Sequence, residues 1–66
     1  MTKLQTIRKS KRLTGLDVSL STRISPTTLS SIENRKLVPG RDVKAKICEF
    51  FGVNEREIFD ESGLAL

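Results

Sequence analysis

The chain has no histidine, tryptophan or tyrosine, and a single cysteine. One cysteine excludes a disulfide within the chain. Without histidine there is no Cys/His set to hold a structural metal. Cys48 has no resolving partner, so it reads as a small hydrophobe rather than a redox switch. The many serines and threonines have no general base beside them, and no Gly-rich phosphate loop is present. No enzyme, cofactor or small-molecule substrate is therefore expected. No apolar run approaches the roughly 20 residues that cross a bilayer, and the N-terminus does not read as a signal peptide. A cytoplasmic protein without a membrane partner is expected. Period-two apolar alternation, repeats, linkers and low-complexity segments are also missing, so no strand is expected. A chain of 66 residues has room for one domain and one small core.

What is present is charge of one sign, unevenly placed. Residues 1–48 carry eleven cations against three acids, a net +8, whereas residues 49–66 carry one against five, a net −4. One part of the molecule should seek phosphate and the other avoid it.

The pattern predicts an all-α domain of five short helices, roughly 3–11, 15–22, 26–33, 41–51 and 55–61. Thr2 with Gln5, and Asn54 with Glu57, have capping-box spacing. Thr14 can cap a helix with Asp17 in its first turn. Ser25 precedes Pro26, and proline suits a first helical position. Leu4 and Ile7 give the first helix an apolar stripe, and Leu29 and Ile32 the third. Val43, Ile47 and Phe50 do so in the fourth, with Phe51 beside them. Gly52 fits a left-handed helix end. Val53, Ile58 and Phe59 close the core, and 62–66 has no clear element. Leu16 and Leu20, at i and i+4, either pack under the first or last helix, which is the favoured expectation, or form a modest exposed patch.

Only 23-RIS-25 separates the second and third helices. Two short helices joined so tightly cross steeply, as a helix-turn-helix does, with Ile24 pointing into the core. In the segment 24-ISPTTLSSIENRK-36, four of the five residues after Pro26 are Thr or Ser. Leu29 and Ile32 face inward, which leaves Thr27, Thr28 and Ser31 on the opposite face. A solvated helix face would usually carry Glu and Lys. A face that lies in a DNA groove is better served by short side chains that donate, accept, or touch a thymine methyl. Arg35, Lys36 and Arg41 follow, where they could hold phosphates.

From Leu4 to Asp60 the chain resembles the Cro/cI-type (XRE) helix-turn-helix family of phage and bacterial repressors. The run 13-LTGLDVSLSTRISPTTLSSIENRKLVP-39 aligns with that family's motif without a gap. It matches in Leu13-Thr14, Val18, the small Ser19, the turn Ile24-Ser25, Leu29, Ile32-Glu33-Asn34 and Pro39. The segment 47-ICEFFGVNEREIF-59 is similar to the family's closing pattern. The resemblance implies a lambda-repressor-like five-helix fold with the third helix in the major groove of double-stranded DNA. It places base reading at Pro26, Thr27, Thr28 and Ser31. Phosphate contacts fall on Asn34 and Lys36, on Arg35 and Arg41 by position and charge, and on backbone N–H groups near Gly15 and Leu16. It also pairs Arg8 with Glu33 in a bridge that orients the third helix.

Three departures stand out. Gly15 occupies the position where the family usually has a Gln that braces a phosphate and a base-reading side chain. Arg23 stands at a turn position usually held by Gly. Arg35 follows Asn34 where Gly is frequent. The expected function is a sequence-specific transcriptional regulator, a repressor acting as a homodimer, with Phe59, Leu64 and Leu66 as the candidate dimer seam. The alternative is an antitoxin or phage-encoded adaptor of the same fold, working through a protein partner on Leu16, Leu20 and the C-terminal leucines.

Overall fold

Four of the five helices begin where a side chain takes up an N–H group that the helix itself leaves without a partner. In the computed structural model, which describes residues 1–66, α1 spans Lys3–Ser10, α2 Gly15–Thr22, α3 Pro26–Glu33, α4 Arg41–Phe51 and α5 Glu55–Ile58. Thr2 and Gln5 form a reciprocal capping box at α1, and Thr14 and Asp17 form one at α2. The Ser25 hydroxyl accepts from the Thr28 N–H at 3.1 Å, with Pro26 in the first turn of α3. The Asn54 N–H donates to the Glu57 carboxylate at 3.2 Å before α5. The exception is α4, which starts at Gly40 with no side-chain cap. Its start is marked instead by Gly40 and by Asp42 in the first turn.

The helix ends are set by left-handed residues. Gly52 takes φ 67° after α4, as its place in the sequence suggested. Arg23 takes φ 61° after α2, and Arg12 and Arg35 take φ 57° and 59° in the turns after α1 and α3. A side chain in this region costs about 1–2 kcal/mol relative to glycine.

Leu4, Val18, Leu29, Ile32, Ile47 and Ile58 are the largest fully buried side chains. Fully burying an aliphatic side chain of this size contributes roughly 1.5–3 kcal/mol. Ile24 joins them from the turn between α2 and α3. α2 packs on α3 and on α4, and α4 on α5. No helix is long and apolar enough to cross a membrane.

The sequence reading is corrected at four places. The fourth helix buries Ile47 and Phe51, with Val43 half-buried, so its stripe runs i, i+4, i+8, and Phe50 stays partly exposed. The fifth helix stops at Ile58 rather than 61. Phe59 is extended there and forms an antiparallel bridge with Ala65. The tail 62–66 is accordingly a structured return. The Leu66 N–H donates to the Ile58 carbonyl at 2.9 Å, the Asp60 N–H to Leu64 at 2.8 Å, and the Leu66 carbonyl accepts from Lys3 in α1. Finally, Leu16 and Leu20 do not pack inward; they are 58% and 73% exposed. Helix α2 instead turns Val18, Ser19 and Thr22 toward the core.

Candidate nucleic-acid interface

The elbow between α2 and α3 is held by small polar groups. The Ser19 hydroxyl donates to the Ile24 carbonyl. The Thr22 hydroxyl donates to the Val18 carbonyl at 2.7 Å and accepts from the Ile24 N–H at 3.4 Å. All four residues are buried, so a larger side chain at Ser19 would force the two helices apart. Arg23 supplies the left-handed step, and Ile24 pins the turn to the core.

This elbow sets the outward face of α3. Pro26 and Thr27 are exposed, and Thr28 and Ser31 are half-buried. Leu29 and Ile32 are buried on the other side. The Ser25 hydroxyl donates to the Thr28 hydroxyl at 2.8 Å while accepting from the Thr28 N–H. Thr27, Thr28 and Ser31 therefore lie on an uncharged side of α3, away from its buried stripe, with Pro26 exposed at its first position.

The far end of α3 is gripped by α1. Arg8 forms a two-pronged bridge to Glu33, with Nε to Oε2 at 2.8 Å and a terminal nitrogen to Oε1 at 3.1 Å. Its remaining arm donates to the Leu13 carbonyl at 2.9 Å. At the start of α1, the Thr2 hydroxyl donates to the Glu33 carbonyl at 3.0 Å, and Gln5 donates to the Asn34 side chain at 3.4 Å. Thr2 and Gln5 were legible in the sequence only as a helix cap. Their second task, holding α3, involves partners about thirty residues away and leaves no local signal. Ser25 and Ser30 were likewise missed as supports for Thr28 and Asn34.

The expected phosphate contacts are not equivalent. The Asn34 amide donates to the Ser30 carbonyl at 2.9 Å and to the Ser30 hydroxyl at 3.3 Å, so its N–H groups are committed within the chain. Arg35 is exposed but faces Asp60 at 3.2 Å. Lys36 and Arg41 are exposed and form no ion pair. Lys44, by contrast, bridges to Glu55 at 3.0 Å and lies over the Phe59 ring. At the start of α2, Gly15 has nothing within 4 Å of where a Cβ would stand. Asp17 sits in the same turn. The Thr14 N–H, then its hydroxyl, hold the Asp17 carboxyl below its ordinary range. Asp17 is thus an anion beside the N–H groups of Gly15 and Leu16.

Of the three residues expected at a dimer seam, Phe59 is buried in the core and its side chain is not at the surface. Leu64 is half-buried, and Leu66 is partly exposed.

Two short helices locked at a three-residue elbow, the second braced from behind by α1, define a helix-turn-helix unit. A family model described as a helix-turn-helix domain matches residues 2–64. The chain belongs to that family and is a Cro/cI-type (XRE) helix-turn-helix DNA-binding protein. No curated protein and no solved structure matches it.

Proposed function

We propose that the protein is a transcriptional repressor that inserts α3 into the major groove of double-stranded DNA and acts as a homodimer. The observation that carries this reading is the outward face of α3. It is small, hydroxylated and uncharged over Pro26, Thr27, Thr28 and Ser31, and Lys36 and Arg41 follow it without ion-pair partners. Those four residues read base edges. Lys36 and Arg41, the start of α2 at Gly15 and Leu16, and Arg35 once it leaves Asp60 meet phosphates. Asn34 acts by ending α3 rather than by donating. Arg8 and Glu33 orient the helix. A two-fold dimer would read half-sites about 34 Å apart. Leu64 and Leu66, without Phe59, remain the C-terminal part of its seam. In a cell the protein would be cytoplasmic and associated with the nucleoid when bound. Neither cofactor nor catalysis enters this reading.

Selection of bound duplexes from a random DNA pool at near-physiological salt tests it. A two-fold-symmetric motif with half-sites one turn apart is the expected outcome. Retention without any motif, vanishing as salt rises, would reduce the interaction to counterion release.

One observation favours a second reading. Leu16 and Leu20 form an exposed apolar pair on α2, which suits an antitoxin or phage-encoded adaptor whose main contact is a protein. Co-purification of a partner that Leu20→Ser abolishes would support it.

A further inference from the structure

The groups that could read a base with a two-pronged hydrogen bond are absent from α3, and those that flank it are held within the chain or, like Lys36 and Arg41, assigned to phosphates above. Between Pro26 and Glu33 there is no Arg, Lys, Asn or Gln. The Asn34 amide is held by Ser30 and Gln5. Arg35 is turned to Asp60 and, on leaving it, assigned to phosphate, and Arg8 is spent on Glu33 and Leu13. Gly15 has no side chain to offer. Guanine and adenine are distinguished in the major groove chiefly by such forks.

Three hydroxyls remain at the reading face, on Thr27, Thr28 and Ser31. A hydroxyl can donate or accept, so it tolerates either kind of base edge and discriminates weakly. The Thr28 oxygen is further occupied by the Ser25 hydroxyl. What the start of α3 has in surplus is apolar: the ring of exposed Pro26, the methyl group of exposed Thr27 and that of half-buried Thr28. Thymine is the one standard base that shows a methyl group in the major groove.

We infer that the half-site is read chiefly through thymine 5-methyl groups, packed against Pro26, Thr27 and Thr28, so that the preferred duplex carries T·A pairs beneath α3. The inference rests on the DNA-binding reading above and specifies which sequences that reading selects. Water leaves each methyl contact, and the gain is hydrophobic, so discrimination is modest per base and accumulates over several.

The experiment uses the full chain and the duplex recovered from the random pool. Each thymine of the half-site is replaced in turn by deoxyuridine, which removes only the 5-methyl group and keeps all pairing. Affinity is expected to fall about fourfold for each methyl that touches α3, the value of one buried methyl group. Thr28→Ser removes the protein's methyl while keeping the bond to Ser25. It should weaken binding to the thymine duplex and add little on the matching uracil duplex. A cytosine-to-5-methylcytosine change at a contacted position should recover part of the loss caused by a T-to-C change. A motif centred on guanine, or affinity unchanged by uracil at every position, would overturn this inference and leave sequence-specific binding intact. Equal losses for Thr28→Ser on both duplexes would overturn the assignment to Thr28. A pool from which no duplex is enriched would overturn the DNA reading itself, and this inference with it.

Discussion

Glu33 is an acid at the end of a helix proposed to meet phosphate, and yet its removal is expected to weaken DNA binding. The residue is 5% exposed, and its carboxylate takes both prongs of Arg8. Breaking a buried pair by removing one partner costs about 3 kcal/mol. Glu33→Ala should lower stability by about that amount in a denaturant titration, and lower DNA affinity under conditions where circular dichroism still shows a folded protein. Unchanged or tighter binding would mean that Arg8 does not orient α3. Gly15 offers the opposite kind of change. Open space surrounds it, so Gly15→Gln should fit, stabilise by about 0.5 kcal/mol through the unfolded chain, and tighten DNA binding by supplying the missing brace. Arg23 sits at φ 61°, where glycine relieves about 1 kcal/mol. A higher denaturation midpoint for Arg23→Gly, at unchanged helix content, is the expected result.

At the level of the elements, two carboxylates tie stability to pH. Asp17 is held below its ordinary range first by the Thr14 N–H. Asp60 is held below it first by the Ser62 hydroxyl, with the Leu64 and Ser62 N–H groups and Arg35 adding. A carboxyl whose folded pKa is depressed stabilises the fold above its unfolded value of about 3.9. That contribution is lost as pH falls through the folded value. The thermal midpoint should therefore be level near neutrality and decline below about pH 4. Asp60→Asn should lower the neutral midpoint and flatten the acid decline, because it removes a titrating brace of the 59–66 return. The same elements show what the sequence could and could not express. Thr2, Thr14, Ser25-Pro26 and Gly52 fixed helix ends because capping is local chemistry. Phe50 and Phe51 were harder, since adjacent residues differ by about 100° around a helix and either could have faced inward. The end of α5 was not legible at all. Phe59 leaves the helix to pair with Ala65, a choice made by tertiary contact. Within the candidate site the outward set on α3 was readable from Leu29 and Ile32. The commitment of Arg35 to Asp60 was not, because it depends on where the 59–66 return comes to lie; that of Asn34 to Ser30 is local, four residues back at the end of α3, and was missed although it lay within one turn.

Over the whole molecule the charge is polarised, with a net +8 over residues 1–48 and −4 over the remainder. Binding should therefore be steeply salt-dependent. Lys36→Ala is expected to reduce the slope of log K against log salt by about 1, equally for all duplexes. Thr27→Ser should instead change the preference among duplexes and leave the slope alone. A slope unaltered by Lys36→Ala would remove that side chain from the phosphate contacts. The brace between α1 and α3 also couples distant parts of the chain. Its bonds join Thr2 and Gln5 to Glu33 and Asn34, and the same first turn is closed by Leu66 through Lys3. The first turn of α1 is thus a clasp with two hands, so fraying there is expected to free the end of α3 and the 59–66 return in a single event.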